Sequence, residues 1–196
     1  MTVSFLPRSP GNYSTEGIPT IYNKIQFRSL LEAKWARFFD LVGWKYEYEP
    51  FELNGWIPDF LLIGKGRTNN VFCEVKPITS FQEDYAQKYQ KALEYDNIFK
   101  NNDLLMLGCT LPSQGDYAHL GWMGSVDKKL NQRLWGFAPI ASWKDSPVLG
   151  FCHSRASYHD RISGIYNAKW GDSSPKEEVL RLWNRASNDT RWIRPL

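Results

Sequence analysis

In this 196-residue chain, the side chains best placed to do chemistry are charges set where strands should be dry. In the run VFCEVKP, residues 71–77, a period of two puts Val71, Cys73 and Val75 on one face and Phe72, Glu74 and Lys76 on the other. Pro77 biases Lys76 toward an extended backbone, which keeps its ammonium on the Glu74 side. In WIPDFLLIG, residues 56–64, Asp59 shares its face with Ile57, Leu61 and Ile63, a lone carboxylate in an apolar row. A charge buried in such a row needs a partner or a metal. Two carboxylates on adjacent strands with a lysine beside them make a divalent cation site of hard oxygen ligands, suited to Mg²⁺ or Mn²⁺.

Glu32 adds a third carboxylate, from a helix. Its neighbours at i−4, i+3, i+4 and i+7 are Arg28, Trp35, Ala36 and Phe39, so it borders the apolar stripe and is expected to be half-buried. Ser29-Leu-Leu-Glu32 also fits the S-x-x-E capping box, in which Glu32 would only tie off the helix start. The periodic pattern begins at Phe27, which instead puts Ser29 inside the helix and leaves Glu32 for the site. Other signals are weaker. Cys152, His153 and His159 match no common zinc spacing, and His119 stands alone. Gly64-Lys-Gly66-Arg67 joins two strands and precedes no helix, so it reads as a hairpin tip.

The elements that must position these groups follow from periodicity. Leu31, Trp35, Phe38 and Val42 form one helical stripe, closed by Gly43. KYEYEPFEL, WIPDFLLIG and VFCEVKP read as three strands in succession. SFQEDYAQKYQKALEYDNIFK reads as a long helix with Ser80 as N-cap and Phe81, Tyr85, Tyr89, Ala92 and Leu93 down one side, and DLLMLGC follows as a buried strand. Helix, three strands, helix, strand is a mixed α/β core with a helical crossover to its last strand. Beyond Pro112, strands are expected near 117–123, 134–141 and 148–153, and a helix near 175–187. Residues 1–24 read as an N-terminal arm, 25–112 as the core and 113–196 as a C-terminal extension.

Composition rules out disorder and fibres, with 42% hydrophobic and 23% charged residues. Three scattered cysteines signal neither a disulfide framework nor a zinc site, and no apolar run is long enough for a membrane span. A reducing cytoplasmic location is the expectation. The net charge of +3 is unevenly spread: residues 1–110 carry 12 Lys/Arg and 13 Asp/Glu, and residues 111–196 carry 12 and 8. The second part also holds six of nine Trp and seven of eleven Arg. Cations interleaved with flat aromatic faces suit phosphate contact and base stacking, and equally suit a Trp-rich core under a solvated Arg surface.

Glu32 on a first helix, Pro58-Asp59 on one strand and Glu74-Val75-Lys76 on the next together resemble the PD-(D/E)XK nuclease superfamily. FRSLLEAKWARFFD, YEYEPFEL, IPDFLL and FCEVKP also look like small nuclease-like proteins of phages and prophages, and more distantly like transposon-end endonucleases and phage junction resolvases. The resemblance spans about residues 22–110 and implies a restriction-endonuclease-like α/β core with a mixed sheet, followed by an α+β extension. It implies that Asp59, Glu74 and the carbonyl of Val75 bind Mg²⁺ or Mn²⁺. Lys76 would orient the attacking water and offset transition-state charge, and Glu32 would hold a second metal or its water. The helix after Lys76 lacks a clean Q-x-x-x-Y where the helicase-associated exonuclease branch has it. Gln82, Gln87 and Tyr89 therefore stand only as candidate substrate contacts.

The resulting expectation is a metal-dependent DNA endonuclease of phage or mobile-element DNA processing. Arg181, Arg185, Arg191 and Arg194, with Trp183 and Trp192, would bind the nucleic acid; a homodimer or partner protein stays open, and no membrane is involved. The rival expectation is a catalytically silent nucleic-acid- or protein-binding module on the same fold, an accessory or inhibitor protein.

Overall fold

A computed structural model describes residues 17–65, 70–95, 99–127, 129–156, 158–166 and 171–191. The described residues open with a hairpin of β1 (Thr20–Tyr22) and β2 (Ile25–Phe27), turned by Asn23 and Lys24 at positive φ. Two left-handed residues in a two-residue loop match the twist of a tight hairpin. Part of the segment read as an irregular arm is thus ordered β structure. The hairpin delivers the chain straight into α1 (Leu30–Val42).

Helix α1 does not begin at Phe27. Ser29 is its N-cap, in extended backbone (φ −142°), with its hydroxyl accepting from the Glu32 N–H. The expectation that Ser29 lies inside the helix is therefore corrected: Phe27 is the last residue of β2, and its ring belongs to the core for that reason. Gly43 at φ 74° ends the helix, as its position past the apolar stripe required. Trp35, Phe38 and Phe39 are fully buried beneath α1, worth roughly 1.5–3 kcal/mol each by removal from water.

Three strands follow: β3 (Lys45–Tyr48), β4 (Phe60–Ile63) and β5 (Val71–Val75). Helix α2 (Glu83–Tyr95) then crosses over to β6 (Asp103–Leu107), which pairs parallel to β5. A parallel pair needs such a crossover, since a two-residue turn cannot return the chain to the same end. Ser80 does not cap α2, which starts three residues later, and Tyr85 is 41% exposed, off the stripe of Ala86, Tyr89, Ala92 and Leu93.

The second half of the chain contributes β7 (Ser113–Gln114), β8 (Tyr117–Asp127), β9 (Gln132–Ala141), β10 (Gly150–Phe151) and α3 (Lys176–Asp189). Its strands extend the sheet from β6, giving the order β10-β9-β8-β6-β5-β4-β3, with β7 paired to β8. The fold is α/β, a mixed sheet with three helices among the described residues. Helices α1 and α3 share one core with Val71, Cys73 and Val75 on one sheet face. Tyr89, Ala92 and Leu93 of α2 pack with Leu61 and Phe72 on the other. Val71, Cys73 and Val75 on one side and Phe72 on the other is the division that the period of two predicts, with both faces covered.

Candidate active site

Asp59, Glu74 and Lys76 meet where β4 begins and β5 ends. Because Phe60 pairs with Cys73 in the antiparallel register, the residue before β4 falls opposite Glu74, and both carboxylates reach the same edge. Asp59 is 2% exposed and Glu74 4%. Asp59 Oδ2 accepts the Val75 N–H at 2.7 Å, which ties the start of β4 to the end of β5. Lys76 donates to Glu74 Oε1 at 2.6 Å. The other oxygen, Glu74 Oε2, accepts the Trp56 indole N–H at 2.7 Å.

Trp56 arrives there through a tight turn. Asn54 and Gly55 both have positive φ, and Leu53 and Trp56 exchange backbone hydrogen bonds across them. Asn-Gly between such partners is the strongest short hairpin signal in a sequence, so the placement of Trp56 was legible and was missed. Its ring packs 5.1 Å from Tyr89 of α2, which closes that side of the site.

Glu32 is buried and fully engaged. Oε1 accepts the Ser29 hydroxyl at 2.7 Å, and Oε2 accepts the Tyr48 hydroxyl at 2.7 Å and the Arg28 N–H at 3.2 Å. Capping and site membership are therefore one arrangement, since the residue that closes the helix start also lines the same cavity as Asp59 and Glu74. That cavity, about 480 Å³, is lined by Arg28, Ser29, Glu32, Trp56, Asp59, Glu74, Lys76, Lys88 and Tyr89 among others.

Arg28 is the second residue missed. Its guanidinium lies 2.5 Å from Asp59 Oδ1, 2.7 Å from Glu49 Oε1 and 4.0 Å from Glu32 Oε2. Its signal was only the i, i+4 spacing to Glu32; proximity to Asp59 and Glu49 comes from tertiary structure. Burial works against its charge, but these carboxylates hold it protonated above the usual arginine range. Burial and the neighbouring Glu74 charge push the Asp59 carboxyl up to about 7, against the pull of the Val75 N–H and Lys76. On Lys76, burial is likewise outweighed by Glu74, which raises the ammonium above its ordinary value.

Burial and the nearby Glu74 charge disfavour the ionised form of Asp59, and a cation placed against these carboxylates would offset both. The hard oxygen donors of Asp59 and Glu74 fit Mg²⁺ or Mn²⁺ by type. Among the described residues no group of three His, Cys, Asp or Glu side chains is gathered to hold a metal by itself. An ion at Asp59 and Glu74 would therefore draw on backbone carbonyl and water as well.

The remaining sequence candidates lie elsewhere. Gln82 bonds to Ser80 just before α2, and Gln87 bonds to Glu83 on the exposed side of α2. His153 is buried, its Nε2 between the carbonyls of Met123 and Leu134 and its Nδ1 accepting two backbone N–H groups, a structural role. Trp183 is 5% exposed, with its ring 4.4 Å from that of Trp35, so it is a core side chain and presents no face to a base. Arg181 and Arg185 are exposed and Arg191 lies on the surface after α3, while Trp192, Arg194, Gly66 and Arg67 fall outside the described residues. No helix among the described residues is long and apolar enough to cross a membrane.

No family model matches the chain, and no curated protein and no solved structure matches it either.

Proposed function

We propose that the protein is a metal-dependent phosphodiesterase of the PD-(D/E)XK type, with a restriction-endonuclease-like core. Its particular reading is a DNA endonuclease in phage or mobile-element DNA processing. One observation carries this: Asp59 and Glu74, remote in sequence and each nearly fully buried, face one another across β4 and β5 with Lys76 2.6 Å from Glu74, at the wall of an open cavity. Burying two carboxylates side by side costs stability, and function is the reason to keep them.

A divalent cation held by Asp59, Glu74 and the Val75 carbonyl would supply Lewis-acid polarisation of the phosphoryl oxygen and an acidic attacking water. The chain's own residues do the rest. Trp56 fixes the orientation of Glu74 through Oε2. The Val75 N–H fixes Asp59 through Oδ2. Lys76, 28% exposed, extends from the end of β5 with its ammonium on Glu74 Oε1 at the cavity wall, where its positive charge would offset charge that builds on the phosphate oxygens. Glu32 supports the wall and, with Tyr48, holds the helix start against it.

A second reading has its own observation: every carboxylate of the site already has internal donors, Asp59 from Arg28 and Val75, Glu74 from Trp56 and Lys76, Glu32 from Ser29, Tyr48 and Arg28. A self-contained charge lattice suits a silent binding module. Plasmid nicking that requires Mg²⁺ supports the nuclease. A shift of DNA on a gel with or without metal, leaving the plasmid intact, supports the binder.

A further inference from the structure

Asp59 is the carboxylate most confined in the site, and one of its two oxygens is committed to the sheet by the buried Val75 N–H. The other, Oδ1, is held by Arg28 at 2.5 Å. We propose that Arg28 is an internal counter-ion latch, occupying Asp59 in the ion-free protein and giving way when a divalent cation takes that oxygen. The inference rests on the metal-dependent reading above and concerns how that site is loaded.

Mg²⁺ bonds oxygen at roughly 2.0–2.1 Å, so an ion on Oδ1 would stand within about 5 Å of the guanidinium. Two cations on one carboxylate that is 2% exposed repel with little water to screen them. Arg28 is the one free to move. Its side chain is 57% exposed, whereas that of Asp59 is 3% exposed and pinned by the Val75 N–H. It also has somewhere to stay: Glu49 Oε1 lies 2.7 Å from its Nε, on a side chain 33% exposed. Glu49 adopts φ 46°, uncommon for a glutamate, and strain of that kind gathers where a side chain is aimed for function. The guanidinium can therefore release Asp59 while keeping Glu49.

The test uses the full chain without nucleic acid and titrates MnCl₂ by calorimetry into wild type, Arg28→Gln, Arg28→Met and Asp59→Asn, with a circular dichroism melt on each. Removing the latch should tighten Mn²⁺ binding on the order of tenfold in both Arg28 variants and enlarge the rise in Tm that Mn²⁺ produces. Asp59→Asn should lose the binding. Equal or weaker Mn²⁺ affinity in the Arg28 variants, with binding still lost in Asp59→Asn, overturns the latch and leaves the metal site standing. Absence of Mn²⁺ binding in wild type and Arg28 variants alike overturns both. Should neither Arg28 variant fold, the wild-type protein answers by NMR. Saturating Mg²⁺ should shift the Arg28 Nη–H resonances, since Nη2 is the group that leaves Asp59, and unshifted Nη–H resonances at saturation overturn the latch.

Discussion

Lys76 and Glu74 lie 2.6 Å apart at the end of a strand whose other residues are fully committed to packing. Lys76 itself is partly exposed, so its removal touches charge more than the core. Lys76→Ala is expected to lower cleavage about 10²-fold or more while the thermal melt stays near that of wild type, as a rate assay beside circular dichroism would record. Full turnover in the folded variant would remove the assignment. Asp59 gives a prediction in pH. Unfolded, it titrates near the ordinary carboxylate value of 3.8; folded, burial and Glu74 push it up to about 7. Between those values the folded protein holds a proton that the unfolded chain has released, so stability is full at low pH and is lost as pH rises through 7. Urea unfolding of the metal-free protein should show a loss on the order of 1–3 kcal/mol across that window, and Asp59→Asn should flatten it.

At the start of α1 the cap and the site share Glu32. Ser29→Ala removes the hydroxyl that receives the Glu32 N–H and donates to its carboxylate, and should cost about 1 kcal/mol in urea unfolding with cleavage retained. Glu32→Gln replaces an acceptor that meets both the Tyr48 hydroxyl and the Arg28 N–H. It should lower stability by a similar amount, and the nuclease reading expects cleavage to collapse as well. Within the sheet, Gly121 sits opposite Leu107 where β8 approaches β6, and a Cβ there would meet the Met106 carbonyl. Gly121→Ala should therefore destabilise by about 3 kcal/mol or more, because backbone in a central strand cannot give way as a flexible side chain would.

Across the molecule, the basic second half divides differently from its composition. Helix α3 carries Lys176, Arg181 and Arg185 against Glu177, Glu178 and Asp189, and so is neutral along its described length. Arg181 lies 4.0 Å from Glu178 and Arg185 3.6 Å from Asp189, both exposed pairs that salt would screen. If this surface carries the DNA, Arg181→Gln with Arg185→Gln should weaken binding and flatten its salt dependence by about 0.9 in log-log slope for each phosphate that is no longer neutralised. An unchanged slope would move the DNA path to Lys88 and the cavity mouth. Arg133, also in this half, is 9% exposed and reaches the carbonyls of Gly124, Lys100 and Asn102, so it holds loops rather than phosphate.

Local pattern decided the order of elements from α1 to α3 apart from the two-residue β7, since periods of 3.6 and 2 are properties of short windows and survive without tertiary context. It also singled out Asp59, Glu74 and Lys76, because a charge in an apolar strand stands out in the chain itself. Boundaries were harder. Phe27 fits the helical period by spacing alone, and only the hairpin with Thr20 makes it a strand residue and Ser29 a cap. What no window contains is partnership. Arg28 and Asp59 are 31 residues apart, Trp56 and Glu74 18 apart, and Trp35 finds Trp183 across the fold. Such contacts arise when separate elements bury their faces against one another, so the internal donors that satisfy the site, and the burial of a tryptophan expected at the surface, were settled by packing.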